Sequence, residues 1–415
     1  MHMQDDLTAV LPNRKRRGRR RVPEFLAVDF YCGAGGTTRG LIDAGGYVIA
    51  GLDKEKSCRE TYVANNGNET GDRSYPCFLA LDLLPATPDY PDGQQSDAMS
   101  CLDDLIFDHR ARYPDTPLLF AICAPCQPFT KLSKTARSRL PPAAAQLRDR
   151  GLLSQTCRFV ERFKPDMVLS ENVPGIDNVR YGGIWKDFAD RLAGLGYQVE
   201  TGRVCTSDFG IPQYRKRSIL AAIRMHPDRM HDSFSLPLKD DSAGTRTVAD
   251  ALQGLPPLEA GQKHGEILNH VARNLSELNR KRISYAKPGE SNIYLENTPE
   301  GDLSLTCHKR VNSRHKNRCF ADVYTRMAPD RPAPTITTRC HSITNGRFGH
   351  PCQDRAISMR EAARLQSFKD SYIFYPFDKL TPVAQMIGNA VPPALAHFYA
   401  GWLVESFKSM RCRAS

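Results

Sequence analysis

The sequence predicts an α/β protein in which a doubly wound domain carries a second, smaller domain. Three observations point that way. From Glu24 to Arg224, short apolar runs alternate with amphipathic stretches, which is the pattern of successive βα units. A glycine-rich bend, Asp29-Phe-Tyr-Cys-Gly33-Ala-Gly35-Gly36, follows the first apolar run, where such folds place a ligand-binding turn. After Arg224 the texture changes: Pro, Gly, His and Asn become frequent and helical periodicity fades.

Taken in order, residues 25–29 read as a buried strand, followed by the glycine turn and a helix over 37–44. A second strand is predicted over 47–52 and a second helix over 56–65. Further strands are expected at 118–123, 167–171, 197–204 and 218–223, with helices over 102–112, 147–163 and 185–195. Helical pattern returns at 359–366 and again over 380–407, in segments expected to pack back on the first domain. The resulting division is a basic, disordered arm over 1–23, a catalytic domain over 24–223, a second domain over 224–357, and a returning segment over 358–415.

At 415 residues, two or three domains fit the length. No apolar run approaches the roughly 20 residues of a membrane helix, and the N-terminus lacks the apolar stretch of a secretory signal, so a cytoplasmic protein with no membrane partner is expected. Thirteen cysteines, an odd number at scattered spacings, favour reduced thiols. The formal charge of +11 invites a polyanionic partner such as nucleic acid. Seven of those charges lie in the run RKRRGRRR at 14–21, so only +4 remains for the rest of the chain. That run reads equally as a solvated tail or as an arm that contacts phosphates.

The residues that can carry chemistry sit at strand ends. Glycines at 33 and 35 let a ligand approach the backbone beside a helix N-terminus, and Asp53 at the end of the next strand can accept from ribose hydroxyls. Thr38 stands where the last glycine of a dinucleotide fingerprint would be, which weighs against a nicotinamide or flavin enzyme. Two prolines enclose Cys126 in Ala124-Pro125-Cys126-Gln127-Pro128, a rigid loop at the carboxyl end of a strand. Cys123 and Cys126 form a C-x-x-C pair, but a redox role would leave the neighbouring groups without a task. The next strand ends in Glu171-Asn172-Val173, and in Gln213-Tyr-Arg215-Lys-Arg217 alternation sends Gln213, Arg215 and Arg217 to one face. A thiol, a carboxylate and a guanidinium pair on one rim suit covalent catalysis.

In these motifs and their order, the chain resembles the DNA (cytosine-5)-methyltransferases from about residue 25 to 402. DFYCGAGG is similar to that family's cofactor loop, PCQ to its nucleophile loop, ENV to its catalytic carboxylate, QYRKR to its arginine pair, RPAPTITTR to its second-domain motif and QMIGNAVPP to its last. REAARLQ, from Arg360, matches the helix before that last motif. The resemblance implies an S-adenosylmethionine-dependent methyltransferase domain, Rossmann-like, with a target-recognition domain. It implies that Tyr31, Gly33, Gly35, Asp53, Asp82 and Asn389 line the cofactor pocket, Asp53 on the ribose and Asp82 on the adenine amine. It further implies that Cys126 attacks carbon 6 of a flipped-out cytosine, that Glu171 protonates N3, and that Arg215 and Arg217 support thiolate and base. Two departures stand out: Tyr31 replaces the usual phenylalanine, and Cys123-Ala124 replace a Gly-Pro pair.

Double-stranded DNA is the expected partner, with a cognate restriction endonuclease as a second, and a monomer is expected. His308, Lys309, Arg310, Arg314, Lys316 and Arg318 suit phosphate contacts or base-edge readout. Cys307, His308, Cys319, Cys340, His341, His350 and Cys352 lack the paired spacing of usual zinc modules, so no metal is expected. The competing functions are RNA cytosine methylation by the same chemistry, a non-catalytic DNA-binding relative, against which intact PCQ and ENV argue, and a dinucleotide-dependent oxidoreductase. The last would leave Cys126, Glu171 and both arginines idle.

Overall fold

The computed structural model describes residues 22–68, 76–125, 151–177, 183–225, 233–309 and 320–412. The basic run at 14–21, Cys126, and residues 310–319 with Arg310, Arg314, Lys316 and Arg318 lie outside them.

The first half alternates strand and helix. In order come β1 (Phe25–Phe30), α1 (Gly36–Asp43), β2 (Gly46–Leu52), α2 (Arg59–Asn65), β3 (Cys77–Leu79), α3 (Gln95–Arg112) and β4 (Leu118–Ile122). Then follow α4 (Leu152–Phe163), β5 (Met167–Asn172), α5 (Ile184–Gly194), β6 (Tyr197–Cys205), β7 (Gln213–Tyr214) and β8 (Lys216–Arg224). Seven strands form one sheet in the order β3-β2-β1-β4-β5-β8-β6. The pairs from β3 to β5 are parallel, and β8 runs antiparallel to both β5 and β6. Strand order reverses between β1 and β4, and the crevice beyond the carboxyl ends of those two strands is where such sheets bind ligands.

β1 is buried on both faces and its side chains alternate between two cores. Leu26, Val28 and Phe30 pack with Leu102 and Ile106 of α3, Leu152 and Phe159 of α4, and Trp185 of α5. Phe25 and Ala27 pack with Leu41 of α1 and with Leu395, Tyr399 and Leu403 near the C-terminus. The returning segment thus completes the sandwich.

The second half holds α6 (Val248–Leu252), α7 (Glu277–Ser284), β9 (Ala333–Pro334), α8 (Met359–Leu365), α9 (Leu380–Asn389) and α10 (Pro393–Cys412). A separate core of Leu275, Ile283, Leu295, Tyr324, Ile343 and Ala356 lies within the segment expected as a second domain. Other parts of that segment join the first domain. Phe234 packs beside Tyr399, Val248 and Ile336 pack with Cys32, Tyr62 and Met359, and β9 pairs with β7.

Three sequence expectations change. The helical pattern over 380–407 is two helices, α9 and α10, because Val391 precedes Pro392 and Pro393 supplies no N–H; Ala390 is extended. α3 begins at Gln95, through a polar stretch that carries little periodicity. β3, at three residues, is too short for an alternation signal.

Candidate active site at the sheet edge

Three connections meet at the strand-order reversal. The first is the bend after β1. Tyr31 and Gly33 adopt φ values of 61° and 51°, and Gly35 adopts 92°. The two glycines serve different ends. A Cβ on Gly33 would meet only Asp53 Oδ2, at 4.0 Å, so its face is open to a ligand; one on Gly35 would lie 2.2 Å from Asn66 Nδ2, so that glycine is a packing requirement. The Gly33 amide donates to Asp53 Oδ2 at 2.8 Å and the Glu55 amide to Asp53 Oδ1 at 2.8 Å. Both carboxylate oxygens are thereby oriented while the side chain stays partly exposed. Burial pushes the Asp53 carboxyl above its ordinary range.

Asp82, after β3, accepts from the Leu84 amide at 3.0 Å and from Tyr90 Oη at 2.6 Å, with Lys54 Nζ 3.8 Å away. Asp29, at the end of β1, is fully buried under the bend; Thr38 Oγ1 donates to its Oδ2 at 2.6 Å. Burial raises its carboxyl to about 7.

The second connection leaves β4 through Cys123, Ala124 and Pro125, one peptide bond short of Cys126. β5 fixes its course: Ser170 Oγ donates to Ile122 O at 2.5 Å and Asn172 Nδ2 to Ala124 O at 3.1 Å. Burial, then the charges of Glu171 and Asp29, hold the Cys123 thiol well above its usual range. Cys123 is therefore a neutral packing group and no match for a reactive thiolate.

The third connection supplies Glu171 and the arginines. Arg217 Nε lies 2.5 Å from Glu171 Oε1, as a close charge pair rather than an aligned hydrogen bond. Burial alternates along the segment as expected, with Gln213, Arg215 and Arg217 buried and Tyr214 exposed. The two arginines nevertheless have different partners among the described residues: Arg217 faces Glu171, while Arg215 also reaches backbone of the second half. Arg215 donates to the carbonyls of Ile336 and Gly388 at 3.1 Å and of Ala390 at 3.3 Å. It clamps the second-domain motif to the last motif. Gln213 assists: its Nε2 donates to Gln366 Oε1 at 2.7 Å and its Oε1 accepts from the Ile336 amide at 2.8 Å.

Asn389, at the end of α9, is exposed, and its neighbours reach the cofactor bend: a Cβ on Gly36 would lie 2.5 Å from Val391 O and 3.2 Å from Ala390 Cβ. Two of the basic residues expected to meet DNA are otherwise engaged. His308 is buried against Tyr324, with ring centroids 5.6 Å apart, and Lys309 pairs with Asp302 at 2.5 Å. Ser170 and Tyr90 carried no signal in the sequence, since single hydroxyls near strand ends are too common to stand out, and Asn172 stood out only as a member of ENV.

The residues present fit S-adenosylmethionine. The N-cap Gly35 gives α1 no side-chain cap and its first turn holds no acidic residue; the Thr38 amide serves the buried Asp29, which leaves those of Gly36 and Thr37 to receive a carboxylate. The open face of Gly33 and the oriented Asp53 suit a ribose with two hydroxyls, and the surrounding carboxylates suit a sulfonium cation. Among the described residues no helix is long and apolar enough to cross a membrane.

Comparison with known proteins gives the family. The family model described as C-5 cytosine-specific DNA methylase matches residues 97–405. The Type II methylase M.HgiDII of Herpetosiphon aurantiacus is 34% identical over 377 residues, which cover 90% of this chain and 93% of that protein. The Type II methyltransferase M1.BsuMI of Bacillus subtilis is 32% identical over 66% of this chain and 58% of its own length. In fold, the chain is similar to a prophage-encoded DNA modification methyltransferase from E. coli, with a TM-score of 0.60 at 20% identity, covering 93% of this chain and 99% of the other. The chain belongs to the C-5 cytosine-specific DNA methylases, and the reaction it serves is S-adenosylmethionine-dependent methylation of cytosine at carbon 5.

Proposed function

We propose that the protein methylates cytosine within a specific site of duplex DNA by covalent catalysis at Cys126. The observation that carries this is the Glu171–Arg217 pair at the rim beside the end of β4, one connection away from the cofactor bend and next to the chain that leads into Cys126. Carbon 5 of cytosine is a weak nucleophile. Addition of the Cys126 thiolate to carbon 6, with a proton delivered to N3 from Glu171, turns the ring into an enamine whose carbon 5 is electron-rich. Arg217 holds the Glu171 carboxyl in place and balances the charge left on it once its proton has gone to N3. When bound, S-adenosylmethionine supplies a sulfonium methyl as the electrophile. Asp53 and Asp82 would hold its ribose and adenine amine, Tyr31, Gly33 and Gly35 would form the bend beneath it, and Asn389 would approach from the last motif. A base then removes the carbon 5 proton, the electron pair restores the 5,6 double bond, Cys126 leaves as thiolate, and the N3 proton returns to Glu171. Since carbon 6 is inaccessible in a stacked duplex, the target base is flipped out.

In the same reading, the core around Leu275, Tyr324 and Ile343 belongs to the target-recognition domain, within 224–357. The Type II relatives support a restriction endonuclease sharing the site as partner. The enzyme acts as a monomer in the cytoplasm.

Bisulfite sequencing of DNA and RNA from cells expressing the chain tests the substrate. Methylation confined to one short duplex DNA context is expected; methylation of RNA with none in DNA would overturn the reading.

A further inference from the structure

The segment after α8 reaches back to the cofactor bend. Tyr372, only 3% exposed, donates its hydroxyl proton to Ala34 O at 2.5 Å, and the same hydroxyl oxygen accepts from Asn66 Nδ2 at 3.0 Å. The direction is settled by Nδ2, which can only donate and whose other bond runs to Tyr62 O at 2.9 Å. Burial pushes the Tyr372 phenol above its usual range, so it keeps its proton. The ring packs with Phe368 and Phe374, at centroid distances of 4.7 Å and 5.3 Å. The next two residues are gripped by side-chain amides. Asn65, at the end of α2, accepts from the Ile373 amide at 2.8 Å and donates to Ile373 O at 2.7 Å. Asn269, in the second half, accepts from the Phe374 amide and donates to Phe374 O, both at 2.9 Å. The hydroxyl thus comes to the bend from a fixed support.

The bend has a use for that support. The peptide joining Ala34 to Gly35 sends its N–H to Cys32 O at 2.8 Å and its C=O to Tyr372, so both of its ends are engaged. The amides that follow, of Gly36 and Thr37, are those left to receive the cofactor's carboxylate. Gly35, with a φ of 92° and no Cβ, would let that peptide turn over, and its carbonyl, the negative end of the peptide dipole, would then stand beside the carboxylate. We propose that Tyr372 is a positioning residue for S-adenosylmethionine: its hydroxyl holds the Ala34 carbonyl turned inward, so that N–H groups rather than a carbonyl meet the cofactor's carboxylate. This role rests on the placement of the cofactor at the bend. Without the hydroxyl, Ala34 O becomes a buried acceptor that has lost its donor, and turning the peptide outward relieves it. Binding must then restore the turn, and affinity falls with the fraction of molecules in which it is lost.

The test compares two tyrosines, by calorimetry with S-adenosylhomocysteine and by thermal unfolding. Tyr399, 1% exposed in the core beneath α10, donates to Pro237 O at 2.8 Å, the same kind of bond in another place. Tyr372→Phe and Tyr399→Phe each remove one buried hydroxyl and keep the ring, and both should lower the melting temperature. Tyr372→Phe alone should raise the Kd for S-adenosylhomocysteine, by about three- to tenfold, within the range of one neutral hydrogen bond. Its KM for S-adenosylmethionine in methylation of bulk unmethylated DNA should rise by a like factor, and the lost rate should return as S-adenosylmethionine is raised. Unchanged affinity in Tyr372→Phe would overturn the inference. Equal weakening in Tyr399→Phe would also overturn it, by tracing the loss to stability alone. Absence of S-adenosylhomocysteine binding by folded wild type would instead refute the cofactor placement, and this role with it.

Discussion

Arg217 and Glu171 stand 2.5 Å apart with side chains only 8% and 12% exposed, on neighbouring antiparallel strands at the edge where the sheet meets its ligands. A pair so placed is asymmetric in its consequences. Together the charges compensate, whereas one left alone is a desolvated ion. Arg217→Ala should therefore cost about 3 kcal/mol of stability in urea unfolding, and methyl transfer should fall in the folded fraction as well. Equal stability of variant and wild type would show the pair to be solvated in solution.

Arg215 should behave differently. Its guanidinium serves three backbone carbonyls that join the second-domain motif to the last motif. Arg215→Ala should lose about 2–4 kcal/mol of stability, since bonds from a charged donor are worth more than neutral ones but do not simply add. Methyl transfer by the protein that remains folded at low temperature should fall less than in Arg217→Ala. The reverse ranking of turnover would give Arg215 the larger part in the chemistry.

Gly388 tests the same joint from the other side. A Cβ there would lie 2.4 Å from Thr337 C and from Thr338 N, which are backbone atoms and cannot rotate away. Gly388→Ala should cost about 1–3 kcal/mol by overpacking, seen as a lower melting temperature. Weaker S-adenosylhomocysteine binding should accompany it, since Asn389 is the next residue. A variant as stable as wild type would mean that this joint is loose.

Asp29 gives a pH dependence whose sign is fixed. Burial raises its carboxyl from 3.8 to about 7, so between those values the folded protein holds a proton that the unfolded chain has lost. Stability from this group is full below about pH 4 and is lost as pH rises towards 7, by at most about 4 kcal/mol. Asp29→Asn removes that group alone. Urea unfolding at several pH values should show wild type losing more stability than the variant between pH 4.5 and 7.5; parallel curves would contradict the assignment.

Much of this was legible in the sequence, for identifiable reasons. β1, β2, β4 and β5 are apolar runs bounded by turn residues, and each ends on a group that chemistry can use, so Asp53 and Glu171 could be placed from pattern alone. The direction of β8 could not, because an apolar alternation reads the same in either sense. The separation of Arg215 from Arg217 was also hidden. Alternation puts both on one inward face, but what Arg215 meets depends on Ile336 and Gly388, more than a hundred residues away. The burial of His308 was hidden for a similar reason: a basic cluster gives no sign that Tyr324 will cover one of its members.

Asp53→Ala should weaken S-adenosylhomocysteine binding by about 1–3 kcal/mol, the worth of charge-assisted hydrogen bonds to the ribose. Part of that loss would come from the Gly33 amide, which Asp53 also holds. Calorimetry at matched folded fraction measures it, and unchanged affinity would remove Asp53 from the pocket.

The most direct measurement of the central claim is covalent trapping. A duplex carrying 5-fluorocytosine at the methylated position cannot release a proton from carbon 5, so elimination is blocked once the methyl has been transferred. Incubated with this duplex and S-adenosylmethionine, wild type should form a complex that survives denaturing electrophoresis, with the DNA mapped by mass spectrometry to Cys126. Cys126→Ser should bind the duplex without forming the adduct. Normal methyl transfer by Cys126→Ser, or an adduct mapped to another residue, would contradict the account.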